Sequence, residues 1–401
     1  MEKQKNIPQL RFPDFKGEWE KKKLGELSAI NPTTDKLPEK FIYIDLESVI
    51  NGDLTKEVFV FKNAAPSRAQ RVLERDDILF QMVRPYQKNN LYFDKSGDYV
   101  ASTGYAQIKT KQNSRFIYQY LHLQKFVDEV IERCTGTSYP AINSKDLAKI
   151  SIRYPSLPEQ QKIASFFTAI DLKISQLKRK KILLEQYKKG VMQKIFSQEI
   201  RFKDDNGQEF PKWEKKRLGD VFTEINESVG ERDIPTYSIT AGIGFVSQKE
   251  KFGRNISGQQ NKNYTVIDEG QFSYNKGNSK TYKYGCVYLN DTGEKIAVPN
   301  VFISFERVDP KMSTKYYSKL FESHYLDKEL RKIISSSARM DGLLNVNKNS
   351  FFKLKVPCLN HYEQHKIGDF LCSLDNKIQN TQKQIEQAEQ WKKGLMQQMF
   401  V

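Results

Sequence analysis

The sequence predicts an α+β chain: two mixed α/β blocks separated by two long helices that pair antiparallel as a coiled coil, in a pseudo-two-fold arrangement. Three observations predict it. A phrase recurs, WEKKKLGEL at Trp19–Leu27 and WEKKRLGDV at Trp213–Val221, each after an Arg-Phe pair, Arg11-Phe12 and Arg201-Phe202. A longer recurrence aligns Glu159–Phe196 on Glu363–Phe400 without gaps, identical at 16 of 38 positions. Within both long segments the apolar residues return in steps of four and three, the spacing of a helix seam. The chain therefore reads as four segments, a block at 1–154, a long helix at 155–198, a second block at 199–356 and a second long helix at 357–401.

The first block opens with its Trp phrase. Strand-like runs follow at Phe41–Ile44, Val58–Phe61, Ile78–Val83 and Tyr105–Ile108, with Gly, Pro and Asn between them. An amphipathic helix fits Phe116–Ile131. The second block repeats the order, with strands at Tyr264–Ile267, Val287–Leu289 and Val301–Phe305 and a helix over Lys315–Ile334. Trp19 and Trp213 read as core anchors.

Each long segment opens on a capping-box pattern, Ser156-x-x-Glu159 and Asn360-x-x-Glu363. Neither interior holds a proline after the first turn, so about 38 residues give a helix of roughly 57 Å. The seam runs through Ile163, Ile170, Leu177, Lys181, Leu184 and Val191 in the first. In the second it runs through Ile367, Leu374, Thr381, Ile385, Leu395 and Met399. The short connection after Phe196 favours antiparallel pairing. If Ile163 faces Met399, Lys181 falls opposite Thr381, a polar layer that can fix register. Two unlike blocks in such a frame suit two unlike half-sites on a duplex, about 34–36 Å apart.

The 401 residues carry 65 Lys plus Arg against 49 Asp plus Glu, a formal charge of +16, which favours a polyanionic partner. Hydrophobic residues are 38% and 48 are aromatic (25 Phe, 20 Tyr, 3 Trp), enough to exclude general disorder. No apolar run reaches the ~18 residues of a membrane span. The first ten residues lack the apolar stretch of a signal peptide, and four scattered cysteines fit reduced thiols, so a cytoplasmic protein is expected.

Net charge is only +5 in each block, so the useful signal is local. Ile78–Phe93, Tyr99–Val127 and Gly270–Asn290 contain no acid at all. They are rich in Lys, Asn, Gln, Ser, Thr and Tyr, groups that contact phosphates and base edges. Candidate DNA contacts in the first block are Arg84, Tyr86, Lys88 and Asn89, with the loop Thr135, Thr137, Ser138 and Tyr139 after the late helix. In the second they are Asn275, Lys276, Asn278, Lys280, Tyr282 and Lys283, with Ser337 and Arg339 after the late helix. Lys178–Lys181 reads as a solvated helix face.

Catalytic patterns are missing. There is no G-x-x-x-x-G-K-[ST] loop, and Gly242-Ile-Gly244 lacks the third glycine of a dinucleotide fingerprint. Asn31-Pro32-Thr33-Thr34 lacks the second proline and aromatic of an adenine methyltransferase loop. His361 and His365 lie four apart, but without the order of a zinc protease they fit a surface or cap role. No catalytic and no metal-binding residue is expected.

The chain resembles the specificity subunits of type I restriction–modification enzymes over essentially its whole length. The likeness rests on the block–helix–block–helix plan and on the phrases Leu157–Ile163 and Tyr187–Gln193, with counterparts at Glu363–Ile367 and Trp391–Gln397. It rests also on Val100–Tyr105 and Ala141–Asn143, and Ser102, Thr103 and Tyr105 join the candidate contacts. The second block departs from the pattern at Val298-Pro299-Asn300 and Asn275-Lys276-Gly277, which bears on the bases read. The resemblance implies that each block is a target-recognition domain and that the chain is non-catalytic, part of a bacterial defence system. It implies two modification subunits that use S-adenosylmethionine to methylate adenine, and two ATP-dependent restriction subunits. S-adenosylmethionine, ATP and magnesium would belong to those partners and no cofactor to this chain. Two rival readings are a protein-only scaffold on a coiled-coil spacer and a self-sufficient nuclease or methylase. The charge and the acid-free loops argue against the first, and the missing motifs against the second.

Overall fold

The computed structural model describes residues 6–34, 36–249, 258–277, 282–334 and 343–401. The chain divides into two compact units, Met1–Arg179 with Gln382–Val401, and Lys180–Thr381. The units do not end where the four sequence segments end, because each block packs on part of both long helices and unites with what it packs on.

In the first unit, strand Glu20–Lys23 pairs antiparallel with Ser151–Tyr154 and ties the block's beginning to its end. One sheet runs in the order Ser28–Ile30, Tyr105–Thr110, Ile78–Gln81, Leu91–Tyr92, all antiparallel. The other runs Val58–Phe61, Lys40–Ile44, Tyr99–Ser102, Ala69–Val72, with Tyr99–Ser102 parallel to Lys40–Ile44. The second unit repeats the closure, Glu214–Arg217 on Lys355–Cys358. It also repeats the first sheet, as Phe222–Glu224, Ile303–Arg307, Phe272–Asn275, Cys286–Leu289. Among the described residues its remaining strands form two separate pairs, Tyr237–Thr240 with Gly244–Ser247 and Thr265–Ile267 with Ile296–Val298.

The late helix, expected as one element in each block, is two. They are Ser114–Tyr120 and Gln124–Glu132 in the first block, and Thr314–Glu322 and Asp327–Ile333 in the second. In the first, Leu123 is extended at ψ 136° and caps a new helix. In the second, His324 takes a left-handed φ of 60°, which a right-handed helix cannot continue. Both breaks let each half aim its own apolar face at the core.

The long helices are Leu157–Phe196 and His361–Met399. In the first unit Phe167 meets Phe400 with ring centroids 5.7 Å apart, Phe166 meets Trp391 at 6.1 Å, and Lys178 pairs with Glu389 at 2.7 Å. From Phe167–Phe400 through Asp171–Lys392 to Lys178–Glu389 position rises along one helix as it falls along the other, so the packed stretches run antiparallel. Ile163, Ile170 and Met399 share a core with Trp19, Phe80 and Phe116, and Leu395 packs against it. Leu177 and Ile385 are also buried. In the second unit Ile367 and Leu374 are buried with Met192, Ile195, Phe272 and Tyr316, and Val191 packs against them. Leu184 is half-buried. The expected polar layer is satisfied differently. Lys181 pairs with Glu185 on its own helix at 3.5 Å, and the buried Thr381 returns its hydroxyl to the Lys377 carbonyl at 2.7 Å.

Why the long segments repeat becomes clear at their first turns. Gln160 and Gln364 are fully buried. Gln160 Oε1 accepts the Asn113 N–H at 3.1 Å, and Gln364 Oε1 accepts that of Ser313 at 2.9 Å, each at the N-cap of the late helix. Their Nε2 groups donate to Pro155 O and Leu359 O. The preceding glutamates do not close capping boxes. Glu159 takes a bidentate pair from Arg11 at 2.8 and 2.7 Å. Glu363 takes one from Arg201 at 3.2 and 2.8 Å, and also the Trp213 indole N–H at 2.9 Å. A guanidinium fork satisfies a buried carboxylate better than a helix-end N–H. The Arg-Phe pair and the helix start therefore recur together because they bond each other.

Further along, Asp171 and Asp375 hold one repeat position, and Lys188 and Lys392 another. In the first unit Lys392 pairs with Asp171 at 2.7 Å, and Gln119 Nε2 donates to the same carboxylate at 2.7 Å. In the second Lys188 pairs with Asp375, and Lys319 reaches it at 2.6 Å. Glu322 then joins both lysines, at 2.5 and 2.7 Å.

Candidate nucleic-acid interface

In the first block the acid-free run leaves strand Ile78–Gln81 and turns through a 3₁₀ helix, Pro85–Gln87. Arg84 and Lys88 flank it, both left-handed at φ 53° and 55°. Two such residues four apart, neither of them glycine, are conformationally costly and persist only where the surroundings over-determine them. The surroundings do so. The Arg84 N–H donates to Pro140 O at 2.7 Å, and its guanidinium stacks over Tyr139 with 4.2 Å to the ring centroid. Lys88 Nζ donates to His122 O at 3.1 Å and Gln124 Oε1 at 3.0 Å. Burial pulls the Lys88 ammonium below the ordinary lysine range. Asn89 Oδ1 accepts the Asn51 N–H at 2.9 Å.

The structure brings two candidate segments together: the loop of Arg84 meets the loop of Tyr139, bridged also by Val83 and Ala141. Thr135, Thr137, Ser138 and Tyr139 are exposed, and so is Tyr86. Lys88 and Asn89 serve as straps of the loop. Thr103 is half-buried, its N–H donating to Arg68 O at 2.8 Å. Ser102 and Tyr105 stand inside the block, which corrects their placing among the contacts. Ser102 is 4% exposed and takes the Gly104 N–H, and Tyr105 is fully buried, which pushes its phenol well above the usual tyrosine range. Ser102 ends strand Tyr99–Ser102 and Tyr105 begins strand Tyr105–Thr110, in the two different sheets, and both positions are buried.

The second block shows the same juxtaposition. Leu344 N donates to Lys276 O at 2.9 Å, and Gly277 bridges Leu343, so the loop after strand Phe272–Asn275 meets the segment after the late helices. Asn275 Oδ1 accepts the Gly277 N–H at 2.8 Å and its Nδ2 donates to Ile239 O at 3.2 Å. Lys276 is half-buried and Lys283 exposed. Tyr282 lies over His324 with ring centroids 5.2 Å apart. Asn278, Lys280, Ser337 and Arg339 lie outside the described residues. Beside Tyr282 a hollow is lined by Tyr274, Tyr288 and Cys286, whose thiol burial pushes up to about 12.

Three polar residues of the first loop escaped sequence reasoning: the buried Gln81 and Asn90 and the exposed Gln87. Gln81 accepts the Asn89 N–H at 3.1 Å and donates to Gln87 Oε1 at 2.9 Å, while Asn90 Oδ1 accepts the Gln81 N–H at 2.9 Å. The available signal was a run of amides among apolar residues in an acid-free stretch. His361 and His365 face separate partners, Asp309 at 3.6 Å and Lys311 O at 3.2 Å. No group of metal-binding side chains forms among the described residues, and none of their helices is long and apolar enough to cross a membrane.

Comparison with known proteins agrees with this architecture. The family described as type I restriction modification DNA specificity domain matches twice, at residues 16–186 and 211–390. Over 424 positions the chain is 24% identical to the type I restriction enzyme MjaVIII specificity subunit of Methanocaldococcus jannaschii, covering 98% of this chain and 93% of that protein. Its likeness to the MjaIX specificity subunit of the same organism is higher, 32% over 146 residues, but spans only a third of that protein's length. Among solved structures, the type I restriction–modification S subunit from M. genitalium superposes with a TM-score of 0.58 at 16% identity, over 98% of this chain and 99% of that one. A chain from a structure of type I system assembly and conformational transition gives 0.55 at 18% identity, over 94% and 96%. These two likenesses concern the fold.

Proposed function

Since the chain belongs to the type I restriction–modification DNA specificity family, we propose that each of its blocks reads one half of a split, non-palindromic DNA site. The long helices fix the gap between the halves and offer the surface on which two modification subunits dock. Those subunits bring S-adenosylmethionine and methylate adenine, and two ATP-dependent restriction subunits complete the nuclease in the cytoplasm. This chain contributes the choice of site and no reaction of its own.

One observation carries the reading. The two blocks share a frame down to individual bonds, Gln160 with Asn113 and Gln364 with Ser313, and differ in the loops that the frame presents. Proteins that must keep a scaffold and change a target vary in this manner.

The test is to map methylated adenines in a genome with and without this chain and its modification subunit. One split motif is expected to disappear on deletion. Exchanging residues 1–154 for another such block is expected to change one half alone, and a change in both halves would refute the assignment. DNA binding by the assembled complex is expected to fall steeply with rising salt, as counterion release requires; a protein-only scaffold would show no DNA binding.

A further inference from the structure

The first loop holds a polarity that its sequence does not reveal. From Arg84 to Asn90 only two side chains are exposed, Tyr86 and Gln87, at the turn. Gln87 is not free to rotate its amide. Its Oε1 accepts from Gln81 Nε2 at 2.9 Å. The orientation of Gln81 is set in turn by a group with only one polarity, the Asn89 backbone N–H, which donates to Gln81 Oε1 at 3.1 Å. A backbone N–H can only donate, so the atom facing it is the oxygen and the other Gln81 atom is the NH₂. That NH₂ needs an acceptor, so Gln87 turns its oxygen inward and its NH₂ outward. Gln81 is 3% exposed, and its own N–H is held by Asn90 Oδ1 at 2.9 Å. Solvent therefore gives the chain little help in reversing.

We infer that Gln87 is a base-reading residue of the first block, presenting its amide NH₂ to an acceptor-bearing base edge, and that Gln81 is the positioning residue that sets this polarity. This rests on the proposed reading of the first block as a half-site reader. In the major groove guanine shows two adjacent acceptors, N7 and O6, and thymine shows O4. The two-way pair with adenine needs the amide oxygen and NH₂ side by side on one base edge, so Gln87 would have to turn its oxygen from Gln81 or share it, whereas an acceptor edge leaves that bond intact. Guanine is thus the first expectation at the position Gln87 meets. The strained backbone beside it fits a tip that must enter a groove in one conformation.

The experiment uses the whole chain with its modification subunit and reads the methylated motif across a genome. Gln87→Ala is expected to relax one base of one half, with discrimination there falling roughly tenfold, and to leave the other half unchanged. Gln87→Glu keeps an acceptor for Gln81 but presents only oxygens outward. The preference at that base is expected to move to a donor-bearing edge, the N4 amine of cytosine first. Gln81→Glu reaches the same end from inside: the carboxylate still accepts the Asn89 N–H but cannot donate, so Gln87 reverses and offers its oxygen. If the buried carboxylate prevents folding, Gln87→Glu alone carries the test, because position 87 is exposed. The inference is overturned if Gln87→Ala leaves every base of the motif as it was, or if Gln87→Glu lowers methylation without changing the preferred base. Absence of any split motif with the unaltered chain would instead overturn the half-site reading.

Discussion

The two places where a late helix meets the long helices have one geometry and different chemistry. Asp171 in the first unit and Asp375 in the second each bind the lysine at the matching repeat position of the other long helix, Lys392 and Lys188. The third member differs. The first unit uses the neutral Gln119, and the second uses Lys319, which calls in Glu322. At Lys319 burial pulls the ammonium down, but Glu322 and Asp375 outweigh it and hold its pKa above the ordinary lysine range. The difference teaches where the duplication is constrained. Groups that bond within the repeated helices stayed alike, and groups contributed by the blocks changed in concert with their own neighbours.

The comparison can be broken first at the two aspartates. Asp375→Ala leaves two lysines, each under 15% exposed at the side chain, with Glu322 alone between them. A cost of about 3 kcal/mol is expected, because stranding a buried charge is worse than losing a pair. Asp171→Ala strands one lysine and an amide and should cost about half as much. Urea unfolding of the two variants measures both, and equal costs would contradict the distinction.

Glu363→Gln and Glu159→Gln sharpen it next. Glu363 serves a guanidinium and an indole, Glu159 a guanidinium only. About 3 and about 2 kcal/mol are expected, in that order, by thermal or chemical denaturation. The Trp19 indole N–H, buried without a partner among the described residues, marks the missing bond in the first unit.

Acid should separate the units as well. Burial depresses His122 to about 4, and its ring lies against Tyr118, bonded to the Tyr118 carbonyl at 2.8 Å. A histidine whose folded pKa lies below its unfolded value of about 6.5 stabilises fully above pH 6.5. That contribution is lost as pH falls from about 6.5 to 4. A loss of at most about 3 kcal/mol is expected in the first unit. Amide exchange at the Arg84–Asn90 loop, which hangs on the His122 carbonyl through Lys88, should report it. His122→Gln should flatten the dependence.

The smallest effect should be the most even. Gln160→Ala and Gln364→Ala each unsatisfy one N-cap amide and should each cost about 1–2 kcal/mol. A difference above 1 kcal/mol between them, measured by urea unfolding, would show that the frame is not the same in the two units.

By itself the sequence determined the plan of this protein. Repeats and heptad spacing are local in sequence, and a 38-residue amphipathic pattern admits one secondary structure. The order of blocks and helices, the core tryptophans and the acid-free loops were therefore legible, but the meeting of the Arg84 loop with the Tyr139 loop was not. Tertiary structure decided which polar atoms face which. The Glu159 carboxylate is bonded across 148 residues and Gln160 across 47, distances over which spacing carries no signal. Ser102 and Tyr105 looked like surface groups because a polar strand residue shows its face only once its sheet has a core behind it. Gln87 was overlooked because an amide has no polarity until a backbone N–H, two side chains away, gives it one.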